Sequence, residues 1–192
     1  MRSLGLLGGS FNPVHNGHLA LAQAARALLH LDEVWLIPCA ESADLKPLAP
    51  GGQRLAWLKA ALKGHAGLRA WDGELKRGGV SRSIDTLRQL KRELGPAVGL
   101  TLLLGADQAA RLASWKEAGG LAALAQLAAF RRAGTHPRAP KGFRVRWLDA
   151  PLQAASSTAI RAALAAGKRP RGLPKALADD PRLARAYRSA GP

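Results

Sequence analysis

Eleven consecutive residues near the start of the chain carry its densest chemistry: Gly8-Gly9-Ser10-Phe11-Asn12-Pro13-Val14-His15-Asn16-Gly17-His18. They follow Leu4-Gly5-Leu6-Leu7, an apolar run of the length of a short buried strand. Glycines directly after a strand let main-chain N–H groups come close to a phosphate, because no Cβ stands in the way. Ser10 adds a hydroxyl donor and Pro13 stiffens the turn. His15 and His18 lie three apart across the start of the next helix, where unpaired N–H groups and the helix dipole already favour an anion. This set suits the phosphates of a nucleoside triphosphate. It is not a dinucleotide fingerprint, since G-x-G-x-x-G is absent, nor a Walker A loop, since no Gly-Lys-Ser/Thr closes it. Two histidines without an evident third ligand make an incomplete zinc set.

Three further segments hold polar residues at places where an α/β protein collects ligands. Ser156-Ser157-Thr158-Ala159-Ile160-Arg161 puts hydroxyls at a helix start and a guanidinium one turn later, a second candidate phosphate cradle that alone would read as a simple N-cap. Gly105-Ala106-Asp107 closes an apolar run, and its carboxylate could accept from vicinal hydroxyls or cap a helix. Trp115 stands among the polar Ser114, Lys116 and Glu117, which suits a ring carried on a loop rather than one buried in a core.

Together these segments resemble the nicotinate-nucleotide adenylyltransferases, within the superfamily of nucleotidyltransferases marked by H-x-G-H. The first matches G-G-[ST]-F-[DN]-P-x-H-x-G-H, and Ser156–Arg161 is similar to S-S-T-x-I-R. The likeness covers nearly the whole chain. It implies an ATP site made of Gly8, Gly9, Ser10, Phe11, His15, His18, Gly105, Asp107, Ser156, Ser157, Thr158, Ile160 and Arg161, with His15 and His18 as the catalytic pair. It implies an acceptor site at Lys46, Ser83, Asp107, Trp115 and Arg132. The tryptophan would stack on the pyridine ring, and the Asp107 carboxylate would hold a ribose hydroxyl. The implied reaction joins the adenylyl group of ATP to nicotinate mononucleotide, giving nicotinate adenine dinucleotide and pyrophosphate in NAD biosynthesis. The acceptor phosphate is already an anion, so it needs no general base; catalysis would be positioning and charge neutralisation. Mg²⁺ would arrive with ATP, without a protein cage.

The chain departs from the family pattern at four places. Asp44-Leu45-Lys46 stands where Pro-His-Lys is common, so only the lysine carries over. Arg82 and Lys116 replace aromatic residues, and Asn12 replaces a more frequent aspartate. Phosphopantetheine enzymes of the superfamily resemble T-x-G-H instead, which counts against that acceptor. Nicotinamide mononucleotide stays open as an alternative acceptor.

The elements that must position these residues alternate in type. Strands are expected at Leu4–Leu7, Glu33–Pro38, Leu68–Trp71, Val98–Leu104, Leu127–Phe130 and Phe143–Leu148. Helices are expected at His18–Leu31, Gln53–Lys63, Ser83–Leu94 and Thr158–Ala166, with a mostly helical tail over Pro174–Ser189. That alternation predicts an α/β fold with a doubly wound parallel sheet, Rossmann-like, in which ligands gather at the carboxyl ends of the strands. We expect one nucleotidyltransferase domain over residues 1–192, with 159–192 as its C-terminal helical part.

Composition sets the outer limits. The 192 residues include one cysteine, Cys39, so no intrachain disulfide can form. No apolar run is long enough to span a bilayer, and the N-terminal run is too short for a signal peptide, so the expected compartment is the cytoplasm. The net charge of +16 is uneven: residues 131–192 hold 14 basic and 3 acidic side chains. Such a bias favours anionic partners, either phosphorylated small molecules or nucleic acid. Three Phe and one Tyr leave few rings for stacking bases, so a nucleic-acid-binding module ranks below catalysis and no nucleic-acid partner is expected.

Overall fold

The computed structural model describes residues 2–44, 47–131, 135, 137–149 and 155–188. Six strands form one parallel sheet: β1 (Arg2–Gly9), β2 (Glu33–Pro38), β3 (Leu68–Ala70), β4 (Val98–Gly105), β5 (Gln126–Arg131) and β6 (Val145–Asp149). Their order across the sheet is β3-β2-β1-β4-β5-β6, so the winding reverses between β1 and β4. This is a Rossmann-like α/β fold. The crevice at that reversal lies beyond the carboxyl ends of β1 and β4, where Gly8-Gly9 and Gly105 sit on neighbouring strands in register (Leu7 beside Leu103).

Alternation along β1 explains the layering. Leu4 and Leu6 face one core and Leu7 faces the other, as expected for a strand buried on both sides. Gly5 also faces the second core, and a Cβ there would come within 2.7 Å of Leu31 and 3.0 Å of Val34. One face is covered by α1 (Asn16–Leu28), α2 (Gly51–Ala61), α7 (Ser157–Ala165) and α8 (Pro181–Arg188); the other by α4 (Ser83–Leu94), α5 (Ala106–Ala110) and α6 (Leu121–Leu124). A further short helix, α3 (Gly73–Arg77), precedes α4.

Strand β2 and helix α4 fall on their expected bounds. Other ends differ for local reasons. Helix α1 starts at Asn16 rather than at His18, with extended His15 as its N-cap. It stops at Leu28, because His30 turns left-handed (φ 51°) to bring Leu31 into the core. Strand β6 starts at Val145 rather than at Phe143. The expected helical tail is a 3-10 turn at Lys175–Leu177 followed by α8. Helices α3, α5 and α6 are four or five residues long, too short for hydrophobic periodicity to mark them.

Candidate active site

The eleven-residue segment runs from the end of β1 into α1. A methyl group at Gly8 or at Gly105 would meet no atom within 4 Å, so both strand ends open onto free space. Phe11 is buried with a left-handed backbone (φ 43°), and its ring meets the His18 ring edge-on at 4.9 Å. The His15 and His18 rings stack at 3.7 Å. Gly17 permits this arrangement, since a Cβ there would lie only 3.0 Å from His15 Nδ1.

Burial sets the charge of the pair. Desolvation lowers the His15 pKa to about 4, and burial together with repulsion from His15 lowers that of His18 to about 3. Both rings are therefore neutral near pH 7. His18 Nδ1 accepts from the His15 main-chain N–H at 3.2 Å, which leaves the ring proton on Nε2 as a donor. His15 Nδ1 is buried with no hydrogen-bond partner among the described residues. Among those residues no group of three or more His, Cys, Asp or Glu side chains could hold a metal ion.

The second motif meets the first. Ser157 Oγ donates to Pro13 O at 2.9 Å, and Arg161 Nη1 donates to Asn12 O at 2.8 Å. Arg161 Nη2 also reaches Thr158 Oγ1 at 3.3 Å. Ser156 is the N-cap of α7, accepting from Ala159 N, and Ile160 is buried in the core. Gly105 caps α5 and places Asp107, exposed, in its first turn.

Ser83 opens α4, and half-buried Trp115 follows a 3-10 turn at Leu112–Ser114. Lys116 bonds Asp85 of α4 at 3.2 Å, and Arg88 pairs with Glu117, so two ion pairs join the tryptophan loop to the helix carrying Ser83. Lys46 and Arg132 lie outside the described residues.

Several residues that the sequence reading did not place in the site organise its surroundings. Asn12 is buried: its Oδ1 accepts from Tyr187 Oη at 2.6 Å and from Ala49 N at 3.1 Å, and its Nδ2 donates to Pro47 O. Helix α8 thereby fastens the β1–α1 loop, and burial raises the Tyr187 pKa above its ordinary value. Glu74, also buried, accepts from Thr86 Oγ1 at 2.5 Å, and desolvation raises its pKa. Thr86 takes a second bond from Arg77. Ser81, whose Oγ accepts from Ala40 N, ties this group to the end of β2. Arg54 is 1% exposed and donates to main-chain oxygens of Ser10, Cys39, Ala40 and Ala49. One signal was available for it: Arg54, Trp57, Leu58 and Ala61 form the buried i, i+3, i+4, i+7 stripe of α2, so an arginine occupies a core position.

Comparison with known proteins places the chain in a family. Residues 6–163 match the cytidylyltransferase-like family. A probable nicotinate-nucleotide adenylyltransferase of Laribacter hongkongensis is 40% identical, covering 99% of this chain and 96% of that protein. One of Streptococcus mutans is 37% identical over 93% of this chain and 85% of its own. Among solved structures, the Plasmodium falciparum nicotinic acid mononucleotide adenylyltransferase complexed with NaAD superposes with a TM-score of 0.70 at 20% identity, covering 85% of this chain and 84% of that one. Its complex with APC gives 0.69 at 16% identity, over 98% and 96%. The fold, the paired motifs and these relatives lead to one assignment: the chain belongs to the cytidylyltransferase-like nucleotidyltransferases, in the family of the nicotinate-nucleotide adenylyltransferases.

Proposed function

We propose that the chain transfers the adenylyl group of ATP to nicotinate mononucleotide, releasing pyrophosphate and nicotinate adenine dinucleotide, a step of NAD biosynthesis. The observation that carries this reading is the meeting of two distant motifs at the β1/β4 crevice. Ser157 and Arg161 turn the Pro13 and Asn12 carbonyls toward α7, beside the neutral histidine pair.

The triphosphate lies along Gly8, Gly9, Ser10 and the start of α1, with main-chain N–H groups as donors. His18 offers its Nε2 proton to the α-phosphoryl oxygens, and His15 serves the neighbouring phosphate. As neutral donors they stabilise the charge spreading over the phosphoryl oxygens without exchanging protons. Mg²⁺ comes as part of the MgATP substrate. Arg161 keeps guanidinium donors for the outer phosphates, and Asp107 takes a ribose hydroxyl. The acceptor's pyridine ring lies by Trp115 and Ser83, and the family resemblance assigns Lys46 and Arg132 to acceptor binding. The acceptor phosphate attacks the α-phosphorus in line, the bond to the bridging oxygen breaks, and pyrophosphate leaves.

Pyrophosphate release with MgATP and a panel of mononucleotides tests this. Nicotinate mononucleotide should exceed the nicotinamide form in kcat/KM by at least about tenfold, the size of about 1.4 kcal/mol of discrimination. Equal turnover of the two would overturn the acceptor assignment, and no release with either would overturn the reaction.

A further inference from the structure

Burial holds both histidine rings neutral near pH 7 in the ligand-free site, so neither brings a ready positive charge to a triphosphate. Phosphate oxygens carrying several negative charges nevertheless need cationic neighbours. Arg54 places one beneath the loop. Its guanidinium is almost wholly enclosed, and among the described residues no carboxylate pairs with it. Its partners are neutral carbonyls from three stretches of chain: Ser10 O at 2.8 Å, Cys39 O at 2.7 Å, Ala40 O at 3.3 Å and Ala49 O at 2.8 Å. A buried cation without a counter-ion is costly unless an anion approaches it, and low surrounding polarity lengthens its reach.

We propose that Arg54 is a positioning residue for the triphosphate, a fixed buried cation whose charge reaches the nucleotide through the Ser10–Phe11 peptide. The proposal rests on the ATP site described above. Arg54 bonds the carbonyl end of that peptide. The opposite end, the Phe11 N–H, meets no acceptor among the described residues. A peptide polarised at its oxygen by a charged donor becomes a stronger donor at its nitrogen. The same side chain ties the ends of β1 and β2 to the start of α2, so the charge and the loop are held as one body. Lysine cannot reproduce this fork, because one ammonium cannot span carbonyls on three segments in a single plane.

Calorimetric titration of the full chain with MgATP, MgADP and AMP, without acceptor, tests the proposal. The wild-type protein should bind in the order ATP, ADP, AMP. Arg54→Met should weaken ATP by about thirtyfold and AMP by only about threefold, flattening the ladder, whereas a merely structural loss would weaken all three alike. Arg54→Lys keeps the charge and should keep the ladder while binding each nucleotide about threefold to tenfold more weakly. Should Arg54→Met fail to fold, Arg54→Gln, which keeps an amide donor for the Ser10 carbonyl without the charge, takes its place and should flatten the ladder in the same way. Folded variants that bind ATP as the wild type does, or an unflattened ladder in Arg54→Met, would overturn the proposal. Absence of ATP binding by the wild-type protein would instead overturn the nucleotide site on which it rests.

Discussion

The two halves of the candidate site are built from different materials. Around the β1–α1 loop the polar groups are buried or half-buried and share partners: Asn12 joins Tyr187 and Ala49, Arg161 joins Asn12, and Arg54 joins Ser10. Around Trp115 the fastenings are exposed ion pairs, Lys116 with Asp85 and Arg88 with Glu117, each side chain between 32% and 46% exposed. A buried, shared network holds one geometry, because breaking any member strands another away from water. Exposed pairs are screened and contribute little, so the acceptor wall is free to adjust to its ligand. In the proposed site, the half assigned to the triphosphate is tied by the shared network, and the half assigned to the acceptor is tied by screened surface pairs.

That contrast can be broken by substitution. The largest effect should come from His18→Ala, which removes the Nε2 donor: kcat should fall by about a hundredfold or more in a chain that still unfolds cooperatively, as measured by pyrophosphate release and thermal unfolding. An active, folded variant would remove His18 from the chemistry. Trp115→Ala should act on the other half only, raising KM for the mononucleotide by about tenfold, as expected for a lost stacking surface, while KM for ATP stays within twofold. A shift in both constants would show that the halves are coupled.

Stability measurements sharpen the same comparison. The folded-state histidine pKa values lie below the unfolded value of 6.5, at about 4 and 3. The unfolded chain thus binds more protons at acid pH. The contribution of the pair is intact above about pH 6.5 and is lost as pH falls toward 4. Denaturant unfolding at pH 7 and 4.5 should show a smaller acid loss in His15→Asn than in the wild-type protein; an equal loss would refute this origin. Tyr187→Phe should cost about 1 kcal/mol by the same measurement, since Asn12 Oδ1 keeps its bond from Ala49 N. Lys116→Ala should cost well under about 1 kcal/mol, and that loss should vanish in high salt. A larger loss at Lys116 than at Tyr187 would reverse the division between the halves.

Much of the frame could be read from local pattern. The apolar runs at Glu33–Pro38 and Val98–Leu104 and the helix at Ser83–Leu94 carry their own periodicity and stop signals, so their bounds were nearly right. The stretch after Gly105 could not be read this way, because α5, α6 and the 3-10 turns at Leu112–Ser114 and Ala118–Gly120 are each too short to show a period. The glycine-histidine loop was legible because its glycines, proline and histidines are contiguous. Tyr187 was not, because it reaches the loop from a helix 175 positions away, and Arg54 was marked only by its place on the buried stripe of α2.

The amino-acid sequence by itself therefore determined the strand–helix alternation, the parallel sheet and the two motifs that identify the family. Each of these follows from the period of apolar residues or from chemistry held within a dozen residues. Tertiary structure alone decided the protonation of His15 and His18, since desolvation exists only once the chain has closed around them. It also decided which donors face the loop: Ser157, Arg161 and Tyr187 reach it across 144, 149 and 175 positions. Spacing in the chain carries no record of such contacts; they follow from packing the helices onto one face of the sheet.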